Sequence, residues 1–146
     1  MIKKGLLIAA TALLLNACGE QSAADAMHAA MEPQTVVTEF FDDIYNDRDL
    51  EAAMTHTSAD LSALLQHYGS ISSVQRYLLN RYFDEAKINV DNSSIRPYLG
   101  NPENLRVTVA LSGPYNGGQY DEVRSVLLVK HENEWLVTRI FDDPFK

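Results

Sequence analysis

Residues 105–111 read Leu105-Arg106-Val107-Thr108-Val109-Ala110-Leu111, with Leu105, Val107, Val109 and Leu111 alternating against their neighbours. A period of two puts those four side chains on one face of a β-strand and the intervening ones on the other. The same period extends outward. Ile88 and Val90 alternate with polar neighbours, and residues 95–99 can pair with them, although Pro97 confines that segment to an edge or a bulge. Residues 123–130 are apolar on both faces, as expected of a central strand. Between the two strong strands, residues 112–119 contain Gly113, Pro114, Gly117 and Gly118 and read as a turn-rich loop. His131-Glu132-Asn133-Glu134 turns the chain into a last strand over 135–141.

Before Asp84 the period is about 3.6 instead. Pro33 suits the first position of a helix, and Val36, Val37, Phe40, Phe41, Ile44 and Tyr45 form a stripe on one face. Asn46-Asp47-Arg48-Asp49 ends that helix and can cap the next, a short one begun by Leu50, Ala53 and Met54. Thr57 with Asp60, or Ser58 alone, offers a start before Leu61, Leu64, Leu65 and Tyr68, and Gly69 a stop. Ser70 or Ser72 then opens a third helix with Val74, Tyr77, Leu78 and Tyr82 on one face. Helices first and an antiparallel meander afterwards is an α+β order. No repeat and no second domain is visible.

The 146 residues are 46% apolar and 22% charged, ordinary globular values. The single cysteine, Cys18, leaves the rest of the chain without an internal disulfide or a thiolate metal site. The formal charge is −8; without Lys3 and Lys4 the 12 basic residues fall to 10 against 20 acidic ones, a net of −10. Nucleic acid repels such a chain, since binding it needs a basic footprint. Anionic headgroups repel it too, so membrane attachment must come from an anchor. The acidity serves solubility, or it faces a basic protein partner.

Lys3 and Lys4 precede an apolar run over residues 5–15. Those 11 residues make a helix of about 16 Å, too short for a bilayer core of roughly 30 Å and right for the apolar part of an export signal. Leu15-Asn16-Ala17-Cys18 closes the run and resembles the lipobox of bacterial lipoproteins, with Asn16 where Ala or Ser is usual. The resemblance implies cleavage between Ala17 and Cys18, thioether attachment of diacylglycerol to Cys18, and acylation of the new amino terminus. With Gly19 rather than Asp after the cysteine, it also implies the periplasmic side of the outer membrane in a Gram-negative cell. The expected division is a signal peptide over 1–17, a lipidated N-terminus and tether over 18–32, and one domain over 33–146.

Within that domain, Phe40-Phe41 through Asn46-Asp47-Arg48-Asp49-Leu50-Glu51, together with residues 131–140 (HENEWLVTRI), resemble NTF2-like (cystatin-like) domains, nearest the small uncharacterised lipoproteins of bacteria. The resemblance implies three N-terminal helices packed on a curved antiparallel sheet of about four strands, forming a cone. Some relatives are enzymes. Ketosteroid isomerase needs a Tyr donor on its first helix and an Asp base after its second. Matching its helix-ending Asn to Asn46 puts Phe41 where that Tyr belongs, and a phenyl ring donates no hydrogen bond. The stretch matching its Asp reads Ser62-Ala63-Leu64-Leu65, without a carboxylate.

No other catalytic constellation, metal site or cofactor site emerges. His28, His56, His67 and His131 show no ligand spacing. Asp42-Asp43 and Asp142-Asp143 are adjacent pairs, which do not face one another on a helix. Ser112-Gly113-Pro114 is a turn, and Gly117-Gly118 lacks the lysine of a phosphate loop. Phe41, Tyr45, Tyr82, Arg124 and Trp135 are the candidate pocket-lining residues. Arg124 stands between Val123 and Val126; turned into the cone, it would meet an anionic ligand or an internal carboxylate.

The reading expected from the sequence is a membrane-anchored envelope lipoprotein with a non-catalytic domain binding a protein partner or a small ligand. Two alternatives stand beside it: an NTF2-like enzyme with an unrecognised pocket, and an acidic immunity-type protein neutralising a basic partner.

Overall fold

Pro33 opens the first helix, α1 (Pro33–Asp42), where a missing N–H leaves no helical bond unmade. The computed structural model describes residues 31–142, so the signal segment, Cys18, His28 and Asp143 lie outside the described residues. Val36, Val37, Phe40 and Phe41 of α1 are buried, as are Ile44 and Tyr45 of the π turn Asp43–Asp47 that continues it. Arg48 closes that turn in the left-handed region, at φ 56°.

The short helix α2 (Leu50–Thr55) is capped by Asp49, whose carboxylate accepts the Ala52 N–H at 3.0 Å. Helix α3 (Ala59–Tyr68) uses the second of its two candidate starts: Ser58 Oγ accepts the Leu61 N–H. Thr57 is buried instead, bridging to Val137. Ser70 caps α4 (Ile71–Ser73), which passes into a second π turn, Val74–Leu78. Among the described residues the helical layer therefore has four segments, two of them continued by π turns.

The last segment presents part of the expected face. In a π turn each N–H reaches back five residues, as Leu79 does to Val74 at 2.9 Å, and the extra residue rotates the side chains beyond it. Val74 is buried and Leu78 packs against the core, as expected; Gln75 and Leu79 join them, whereas Tyr77 is 67% exposed and Tyr82 lies beyond the helix end.

The strands are β1 (Lys87–Val90), β2 (Arg96–Tyr98), β3 (Asn101–Tyr115), β4 (Gly118–His131) and β5 (Glu134–Phe141). All pairs are antiparallel, in the order β1-β3-β4-β5, with β2 also on β3. The α+β class is as expected, with five strands in the sheet. Pro97 sits in the short edge strand β2.

Residues 112–119 are not a loop. β3 and β4 run through them to the pair Tyr115–Gly118, joined by Asn116-Gly117 at φ 49° and 78°. Two adjacent positive φ values make the tight turn whose twist matches paired strands, and Asn-Gly is its favoured sequence. β4 is central, yet among the described residues it is covered on one face only. Glu122, Arg124, Val126 and Leu128 point to the helices, while Val123 on the other face is 47% exposed, because the described helices pack on the inner side.

Register shifts at Pro97/Tyr98 and Leu127/Leu128 bend the sheet around the helices. The segment between the two layers is clamped by Asn46, which accepts the Ala86 N–H at 2.8 Å and donates to the Ala86 carbonyl at 2.9 Å. The core is thus lined by Phe40, Phe41, Tyr45, Phe83 and Leu79 against Val107, Val109, Leu111, Val126 and Leu128.

Candidate functional site

Alternation along β4 sends two charged side chains into this core. Cross-strand register sets Arg124 beside Val109 and Glu122 beside Leu111. Their side chains are 4% and 2% exposed. Burial of an unpaired charge costs several kcal/mol, so partners are obligatory. Glu122 has two. Arg81 Nε lies 2.6 Å from its Oε2, and Arg124 Nη2 abuts its Oε1 in an ion pair not aligned as a hydrogen bond.

Arg124 Nη2 also donates to the Leu79 carbonyl. Helix ends leave carbonyls without intrahelical donors, and a guanidinium satisfies one here. Gln75, buried in the second π turn, donates to the Ile44 carbonyl at 2.7 Å. Its Oε1 and Arg124 Nε have no hydrogen-bond partner among the described residues. Tyr45 donates from its hydroxyl to the Arg81 carbonyl at 3.2 Å.

Burial pushes the Tyr45 phenol well above its ordinary range, and the Glu122 carboxylate adds to the rise; Arg124 and Arg81 oppose it. A phenol raised above its unfolded value of about 10 stabilises the fold fully below that pH. That contribution is lost as pH climbs through the folded value. Tyr45→Phe is therefore expected to flatten the alkaline fall in urea midpoint above about pH 10 relative to wild type. Parallel pH profiles of the two proteins would show the phenol to be uninvolved.

Of the candidate pocket residues, Phe41, Tyr45 and Arg124 come together inside the cone, with Phe41 stacked on Tyr45 at 6.4 Å. Tyr82 does not join them. It stands at the surface with the Arg48 and Arg76 guanidinium groups 5.3 and 5.4 Å from its ring centroid. Trp135 lies at the His131–Glu134 end of the sheet, under Lys130. Sequence reasoning missed Glu122, Arg81 and Gln75. For Glu122 the signal was present, because it shares the parity of Arg124, Val126 and Leu128. For Gln75 none existed.

His56 Nε2 lies 3.3 Å from Asp43 and 3.6 Å from Glu39. Among the described residues no group of three or more His, Cys, Asp or Glu side chains is placed to hold a metal ion. Open clefts of about 330 and 230 Å³ lie between α3 and β5, and one of about 300 Å³ over the outer ends of β1, β3 and β4.

No protein-family profile matches the chain, and no curated protein matches it. Solved structures do. An NTF-2 like protein of unknown function from Shewanella oneidensis MR-1 is 14% identical, over 73% of this chain and 91% of its own, at a TM-score of 0.46. The TraH protein of the Gram-positive conjugative plasmid pIP501 is 15% identical, over 77% and 94%, at 0.49. A protein designated Rd1NTF2_05, carrying substitutions, is 12% identical, over 82% and 97%, at 0.50. Helices on the inner face of a bent five-stranded antiparallel sheet, superposable on such a structure, make this the NTF2-like fold.

Proposed function

We propose that this chain is a lipid-anchored protein of the cell envelope whose NTF2-like domain binds a partner and transforms no substrate. The anchor is the diacylglycerol that the lipobox-like sequence assigns to Cys18. In a Gram-negative cell it holds the domain at the periplasmic face of the outer membrane. Each buried CH₂ contributes about 0.8 kcal/mol, so several acyl chains make the attachment effectively permanent.

The observation that carries the binding role is the occupied interior. Phe40, Phe41, Tyr45, Phe83 and Leu79 fill the cone, and its charged groups bind one another. A general acid or base must reach the reacting atom directly or through one water. At 2% exposure and held by two guanidinium groups, Glu122 reaches neither. Among the described residues, open clefts lie at the surface, where partners dock.

Two measurements test the two halves. Cys18→Ser is expected to abolish radiolabelled palmitate incorporation and signal cleavage, and unchanged labelling would remove the anchor. A pull-down with the wild-type full chain from detergent-solubilised envelope is expected to recover a partner that a heat-unfolded control does not. Turnover of a small substrate by the purified chain would overturn the non-catalytic role.

A further inference from the structure

The outer sheet face carries a row of cations that the fold does not use. Register sets Arg96 opposite Arg106, Arg106 opposite Leu127, and Leu127 opposite Arg139. One line across β2, β3, β4 and β5 thus holds three arginines. They face away from the helices, because Val107, Val109, Val126 and Leu128 hold the inward positions. The neighbouring line is Thr108, Ser125 and Phe141.

Two of the guanidinium groups are held in place by that second line. Arg106 and Arg139 lie 4.5 and 5.0 Å from the Phe141 ring centroid, and the Tyr98 ring is 5.7 Å from it. Among the described residues none of the three arginines makes an ion pair or a side-chain hydrogen bond. Asp60 shares a cleft with Arg139 without reaching ion-pair distance. Like charges on directly opposed strand positions are destabilising, as Arg96 and Arg106 are. Although the chain carries 20 carboxylates against 12 cations, none among the described residues is within ion-pair distance of this row.

We propose that the row docks an acidic segment of a partner protein. The proposal rests on the binding role above and supplies the partner's chemistry. A guanidinium fork matches a carboxylate in bidentate fashion, and stacking on an aromatic ring pre-organises it. Three inter-strand spacings make the row about 14 Å long, the span of about four extended residues. Arg, Tyr and Phe beside the partly buried Leu127 are the composition of an interface centre. A second copy does not fit, since a two-fold axis through the row would set arginine against arginine. An anionic bilayer does not fit either, because a flat charged surface would face the acidic surroundings of the row as well as the row, whereas a segment of about four residues meets the row alone.

The full chain in neutral detergent is titrated with a fluorescein-labelled oligoglutamate peptide at low salt, read by anisotropy. Arg106→Ala/Arg139→Ala is expected to weaken binding about tenfold or more, and Arg106→Gln/Arg139→Gln likewise. Arg76→Ala/Lys87→Ala, which removes equal charge elsewhere, is expected to stay within about twofold. Equal affinity in the row variants would overturn the proposal, as would tighter binding to phosphatidylglycerol vesicles than to the peptide. In the pull-down, a partner kept equally by wild type and by the row variants would overturn the arginine row and leave the binding role standing. Recovery of none by wild type would instead remove the binding role.

Discussion

Glu122→Ala is expected to lower the unfolding free energy by about 3–5 kcal/mol, the range for removing one partner of a buried pair. The residue sits between two guanidinium groups, and its loss strands Arg124, 4% exposed, with no counter-charge. Arg124 would keep only its bond to the Leu79 carbonyl. Arg81, with a quarter of its side chain exposed and its guanidinium over the Tyr120 ring, can turn to water instead. Arg81→Ala should accordingly cost much less. The penalty for Glu122→Ala is a stranded charge rather than a lost attraction, so removing both charges should relieve it. Glu122→Leu/Arg124→Met is expected to recover most of the stability, as apolar replacements of buried ion pairs do. Urea midpoints at constant slope measure all of these. A Glu122→Ala protein with the wild-type midpoint would show that the pair is solvated and that the interior is open.

Gly113→Ala should cost about 3 kcal/mol or more, above the usual range for one added methyl in a packed core. The added Cβ would stand 1.9 Å from the Glu85 carbonyl oxygen and 3.2 Å from Phe83 Cδ1. The nearest obstacle is backbone, which has no rotamer to change. Nor can that segment retreat. The Asp84 N–H donates to the Pro114 carbonyl at 2.9 Å, and Arg48 donates to the carbonyls of Phe83 and Asp84. Asn46 holds Ala86 from the other side. Either the Asp84–Pro114 bond opens or β3 bows outward. Thermal denaturation of Gly113→Ala against wild type measures the cost, and an unchanged midpoint would mean that this segment is mobile where the close approach requires it to be fixed.

The two residues differ in how far local sequence reveals their roles. Gly113 is visible as a glycine, but Pro114, Gly117 and Gly118 beside it give the stretch the composition of a loop. Its role is a close approach between β3 and a segment 28 positions earlier, near Glu85, and no local pattern records that approach. The Asn116-Gly117 turn is legible, since it needs only two adjacent residues with positive φ. Gly113, Pro114 and Gly118 crowd around it and obscure it. The inward turn of Arg124 accords with its parity against Val126 and Leu128. Its partner Glu122, of the same parity, is the internal carboxylate that such an arginine requires.

Spacing and caps are local, and the sequence by itself determined what depends on them: the helical stripe of α1, a cap from within Asn46–Asp49 and one from Ser70 or Ser72, the stop at Gly69, the alternation of β3 and the α+β order. Only the tertiary structure decided that Gln75 and Leu79 would turn inward beside Val74 while Tyr77 stayed exposed, because the Gln75 amide finds its partner at the distant Ile44 carbonyl. It also decided that Arg81 and Leu79, more than 40 residues away in sequence, would meet Glu122 and Arg124. The arginine row belongs to the same class. Arg96, Arg106 and Arg139 share a line only through the registers of four strands, and two bulges set those registers. Periodicity specifies the face on which a side chain stands; the neighbours it meets there depend on how distant strands and helices come into register.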